Sequence, residues 1–211
     1  ILHYEGTSWI FMTSGTTHNF HGVWGSSSSD VFAVGYGGTI LHYEGTSWTS
    51  MTSGTTNSLR SVWGSSSSDV FAVGGSGTMV HYNGTNWTSM TSGIRSWLHG
   101  VWGTSSSDVF AVGGNGTIVH YDGTSWSSMS SGSTSWLCGV WGSSASDVFA
   151  VGWDGTIVHY DGRSWSSMSS GTTNNLLGVW GSSSSDVFAV GWDSTIVHYD
   201  GRSWSSMSSG T

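Results

Sequence analysis

One tetrapeptide, Val-Trp-Gly followed by Ser or Thr, recurs around Trp24, Trp63, Trp102, Trp141 and Trp180, each tryptophan 39 residues after the last and with no insertion between them. A fixed period of this length means a repeat architecture, in which a short unit cannot bury its own apolar residues and its neighbours must do so. Residues 1–16 match residues 196–211, and the remaining 17–211 divide into five units, 17–55, 56–94, 95–133, 134–172 and 173–211. The whole reads as one domain preceded by a redundant hairpin, 1–16. That hairpin is expected to close the array, to swap with another subunit, or to be the remnant of an upstream unit.

In the last unit, four runs read as strands: Leu176–Trp180, Asp186–Val190, Thr195–Tyr199 and Ser203–Ser208. A serine run, Gly-Trp-Asp-Ser and Asp-Gly separate them, which are turn signals too short for anything but an antiparallel meander. Val187 and Ala189 alternate with Phe188 and Val190, so both faces of the sheet are apolar. Such a sheet needs a cover on each side. Stacking the sheets around an axis, with the Gly-containing first strand innermost and the serine-rich fourth outermost, gives an all-β, five-bladed β-propeller with four antiparallel strands per blade. A β-solenoid is the alternative.

Composition narrows the function classes. The 33 Gly and the excess of Ser and Thr would suggest disorder, but 15 Trp, 7 Tyr and 7 Phe supply a core. Net charge is −8, and the basic residues are Arg60, Arg95, Arg163 and Arg202 alone, which argues against nucleic acid as a partner. No window is apolar enough for membrane insertion. Cys138 stands alone, with neither a disulfide partner nor metal-ligand spacing, and no cofactor is expected.

The copies, which read GVWGSSSSDVFAVG and then GTIVHYDGTSW, resemble highly repetitive bacterial β-propellers of BNR-like, Asp-box-like or WD-repeat-like type. The resemblance covers the whole chain and implies the propeller fold. The Gly-His and Trp-Asp pair of WD repeats is absent, and the Asp-Gly-Thr-Ser-Trp turn only approximates an Asp-box.

Differences among the copies locate a candidate site. In a meander, the turns after the second and fourth strands share one end of the sheet, and these carry the large changes. After the second strand stand Tyr36, Gly75, Gly114, Trp153 and Trp192, followed by Gly37, Ser76, Asn115, Asp154 and Asp193. The linkers carry Asn19, Ser58, Trp97, Trp136 and Asn175, with Asn174 beside the last. Two places on, His21, Arg60, His99, Cys138 and Leu177 are expected at the mouth of a central channel. Where Trp alternates with Gly or Asn the side chain is expected to face solvent, because losing a buried Trp costs about 3–5 kcal/mol. Flat rings beside Asn and Asp suit a glycan or a protein surface.

Once per unit a histidine recurs (His42, His81, His120, His159 and His198), expected to bond the neighbouring blade, and an aspartate (Asp30, Asp69, Asp108, Asp147 and Asp186), expected to tie down its serine turn. Asp154 and Asp193 are the one carboxylate pair placed for glycoside hydrolysis, but they lie on turns of different units, and no arginine cluster of sialidase type accompanies them. The expected function is therefore a non-catalytic recognition module, extracellular or at a bacterial surface, binding glycan or protein multivalently. The alternative is an assembly scaffold or designed repeat protein, self-associating through hairpin 1–16. Ile10 and Phe11 replace serines there and are expected to meet something apolar.

Overall fold

The structure, a computed structural model, describes residues 1–208. It opens with a two-stranded hairpin, β1 (Leu2–Tyr4) and β2 (Trp9–Phe11), followed by β3 (Phe20–Ser27), β4 (Asp30–Gly35), β5 (Ile40–Tyr43) and β6 (Trp48–Met51), which pair in that order as an antiparallel sheet. Four more sheets of the same order begin at Leu59, Leu98, Leu137 and Leu176. All four strands of the unit are therefore present as read. The first runs on through two serines, as in Leu176–Ser183, leaving a tighter turn than the serine run suggests.

Successive sheets pack through their inner strands, and each seam has the same construction. In the seam between the first two sheets, Phe32, Val34 and Ile40 of one meet Leu59, Val62, Val70, Ala72, Val80, Tyr82 and Trp87 of the next. The Val-Trp-Gly motif is explained here. Trp24 lies across Gly64 so closely that a Cβ on that glycine would come within 2.6 Å of the indole. Trp63, Trp102 and Trp141 cover Gly103, Gly142 and Gly181 in the same way, so each tryptophan dictates the glycine one repeat later.

That chain of contacts stops at both ends, which corrects the expected closed ring of five. Among the described residues, no strand of the first sheet packs on a strand of the fifth to the extent seen at the four seams. Trp180 is 62% exposed and Val190 lies open beside it, while Val23 on the opposite face of the first sheet is 69% exposed. Five complete sheets thus form an open arc, and the hairpin β1–β2 stands at its leading end.

The recurrent histidine is a second correction. His42 bonds Asp30 of its own sheet, Nε2 to Oδ1 at 2.6 Å, and the other four pairs repeat this at 2.7–2.8 Å. The aspartate does hold its serine turn as well: Ser26 Oγ donates to the second oxygen of Asp30 at 2.5 Å, and Ser65 and Thr104 do the same for Asp69 and Asp108. Each His-Asp-Ser set is thus a clamp that fastens the turn after the first strand to the third. Among the described residues no group of three or more His, Cys, Asp or Glu is placed to hold a metal, and no helix is long and apolar enough to cross a membrane.

Candidate functional site

Both variable turns fall at one end of the sheets. A Cβ on Gly38, in the turn after β4, would collide with the carbonyl of Thr55 in the linker to the next sheet, whereas Gly45, after β5, faces Ser29 at the other end. The five rim aromatics all reach solvent: Tyr36 is 60% exposed, Trp97 40%, Trp136 36%, Trp153 40% and Trp192 56%.

The mouth residues owe their direction to a bulge. In the first sheet Phe20 pairs with Gly35 and Gly22 with Val34, so His21 is the extra residue that no partner opposes. Arg60, His99, Cys138 and Leu177 occupy the same extra position in their strands. A bulge turns one side chain out of the alternation and aims it away from the seams.

Three of the rim aromatics and two mouth residues merge into one continuous stack. The Arg60 guanidinium carbon sits 5.1 Å from the Trp97 ring. Trp97 then stacks on His99 at 6.5 Å, His99 lies 5.3 Å from Trp136, and Trp136 stacks on Trp153 at 5.0 Å and 22°. Trp97 and Trp136 are seated over Gly75 and Gly114, in the turns that carry glycine where other copies carry an aromatic. Burial pushes the Cys138 thiol pKa up. The imidazoles of His21 and His99 are held below the usual histidine range, first by burial and then by the Arg60 charge. Arg60 Nε and His99 Nε2 are buried and, among the described residues, have no hydrogen-bond partner.

Other predicted residues stand apart. Tyr36 meets His18 edge-on at 5.8 Å, and the Asn19 carbonyl accepts the Tyr36 N–H. Asn174 donates to Thr195 at 2.8 Å and Asn175 accepts from the Asp154 N–H at 2.9 Å, so both side chains are engaged in holding turns. Asp154 and Asp193 take φ of 54° and 51°, the left-handed region that Asp, Asn and Gly tolerate best, which accounts for their identity without a ligand. Trp192 and Leu177 are exposed at the fifth sheet, away from the stack. Sequence reasoning kept rim and mouth separate. The bulge that turns His99 and Cys138 out of the strand alternation is what brings the two sets together.

No protein-family model matches the chain, and a search of curated proteins finds no relative. Solved structures do resemble it. YCF48 bound to a D1 peptide matches with TM-score 0.73 at 15% identity, over 95% of this chain and 71% of that one. The WD40 β-propeller domain of Doa1 matches with TM-score 0.76 at 13% identity, over 91% and 68%, and YCF48 from Cyanidioschyzon merolae with 0.69 at 12%, over 93% and 74%. At such identities the likeness establishes the fold: the sheets are arranged as in a β-propeller.

Proposed function

We propose that the chain is a non-catalytic recognition module that binds a peptide or protein segment across the Arg60–Trp97–His99–Trp136–Trp153 stack. The carrying observation is the stack itself, since rings held partly exposed in contact with an arginine are the composition of interface hot spots. A pyranose stacks on a free aromatic face, but the Trp136 ring is already packed against both His99 and Trp153. The edges left free suit apolar side chains better. The Arg60 guanidinium at the end of the stack suits a carbonyl or carboxylate of the same segment. That one structural neighbour was solved with a peptide agrees with this reading.

A glycan remains the second reading, and it belongs to Tyr36 and Trp192, whose rings stand more open beside Asn19 and Asp193. Peptide display and a glycan array, each probed with wild type and with a Trp97→Ala, Trp136→Ala, Trp153→Ala variant, separate the two. Enriched peptides that bind at least tenfold more weakly to the variant and to Arg60→Gln support the proposal. Sugars bound equally by wild type and variant, with no peptide enriched, would overturn it.

A further inference from the structure

The hairpin β1–β2 has the place and the contacts of the outer half of a sheet. Its residues Ile1, His3 and Met12 occupy the repeat positions of Ile40, His42 and Met51, and they face the first sheet as those three face the second. The His3 ring meets Tyr43 at 5.5 Å. Inside the hairpin, where two inner strands stand in every other sheet, there is instead a cavity of about 420 Å³, bounded by Ile1, His3, Phe20, Val23, Val31 and Tyr43.

Several groups around this cavity lack partners that their counterparts in every complete sheet possess. Among the described residues β1 pairs only with β2, so its inner edge is open. Ile1 and Met12 exchange both backbone hydrogen bonds, and by antiparallel alternation the N–H groups of Leu2 and Tyr4 point to that open edge. His3 has no aspartate beside it among the described residues, whereas each of the other five strand histidines has one at Nε2; its Nδ1 is buried without a partner as well. Gly25 is the one Val-Trp-Gly glycine over which no indole lies among the described residues. Tyr43 and Trp48 are in the positions from which Tyr82 and Trp87 clasp Phe32, but no phenylalanine reaches them.

We propose that this cavity is a docking site for a β-hairpin of the repeat's own inner-strand type, Gly-Val-Trp-Gly-Ser-Ser-Ser-Ser-Asp-Val-Phe-Ala-Val-Gly, added as strands at the open edge of β1. The register follows from β4 on β5, where Phe32 opposes His42 and Ala33 opposes Leu41. The incoming phenylalanine opposes His3 and enters the cavity between Tyr43 and Trp48, and the alanine opposes Leu2. The incoming aspartate bonds His3 as Asp30 bonds His42. The tryptophan, eight residues before the phenylalanine, covers Gly25 as Trp24 covers Gly64. Main-chain pairing supplies affinity and these pockets supply selectivity, the division of labour in strand addition. The cavity lies against the first sheet, whereas the rim stack runs over the second to fourth, so docking here does not depend on what that stack binds.

A fluorescein-labelled synthetic peptide of residues 173–191, titrated into the full chain and followed by anisotropy, tests this. Saturable one-to-one binding is expected, with slowed amide exchange at Leu2 and Tyr4. Val23→Asp, which alters an exposed side chain, and His3→Ala are each expected to weaken binding at least tenfold, as is Phe188→Ala within the peptide. The proposal fails if no saturable binding occurs. It also fails if binding survives Val23→Asp and is lost in Val190→Asp, which would put the peptide on the far end of the arc. Self-association of the chain that excludes the peptide and is abolished by Val23→Asp would overturn it too, by making a second copy the occupant.

Discussion

The four internal seams and the two end faces are built from the same side chains, yet they differ in nearly every physical respect. Phe110 is closed in by His120 from its own sheet and by Tyr160 and Trp165 from the next. Phe188, its copy in the fifth sheet, has among the described residues only His198 stacked on it. Trp102 presses on Gly142, whereas Trp180 points into solvent. Identical sequence therefore does not confer identical stability, because in a repeat protein the stabilising term belongs to the interface between units.

Substitution at equivalent positions measures that difference, and the largest effect belongs to the phenylalanines. Phe110→Ala should cost about 3–5 kcal/mol, the usual range for emptying a closed aromatic site. Phe188→Ala should cost less than half as much, read from denaturant midpoints of the two variants. Equal losses would mean that the fifth face is covered in solution, and the contrast between seams and ends would have to be abandoned.

What the sequence made legible follows the same division. Strand order, the innermost first strand and the solvent-facing rim all came from patterns of period two and from comparing copies, which are local properties. Closure was not legible. Counting five units says nothing of the rotation between successive sheets. The histidine's partner was misplaced for a different reason. Register puts Phe32 opposite His42, and Asp30 lies two residues from Phe32 and hence on the same face, so the imidazole finds its carboxylate diagonally within one sheet. The Arg60–Trp153 stack was half visible: every member was singled out, but the bulge that brings mouth residues up among the rim rings leaves no mark in residue pattern.

The turn after the second strand offers an intermediate effect, again between an inner unit and the end. Gly155 has φ +67°, and a Cβ there would lie 2.0 Å from the carbonyl of Thr172. Ser194 is its counterpart in the fifth sheet and holds φ +57° with a side chain in place. Gly155→Ser should lose at least about 1–2 kcal/mol, the cost of left-handed backbone in an L-residue, with the collision added to it. Ser194→Gly should gain about 1 kcal/mol and raise the melting temperature by about 2–4 °C. A loss on restoring glycine would show that Ser194 makes a contact at the end of the arc that outweighs its backbone strain.

The smallest effect concerns acid, and it sets the rim stack against the clamps at the other end. His99 is held below its ordinary pKa by burial and by Arg60, so the unfolded chain takes up its proton at a higher pH than the folded chain does. Over that interval the unfolded state binds more protons, and stability falls as pH drops from about 6.5, the unperturbed histidine value, toward the lower folded one. Asp186, in a clamp, is lowered as well but from a carboxylate's starting point: the hydroxyl of Ser182 and then the imidazole of His198 hold it below the usual carboxylate range. Its contribution persists through this window and is lost only as pH falls further, below the carboxylate value in the unfolded chain. His99→Phe keeps a flat ring between Trp97 and Trp136 and removes both the titration and the unpartnered Nε2. Chemical unfolding measured between pH 7.5 and 5 should therefore show a shallower decline for this variant than for wild type. His21, lowered for the same two reasons, retains part of the slope. If the two declines are parallel, the imidazole between the indoles is not the group that titrates, and the mouth of the arc is wetter than its packing implies.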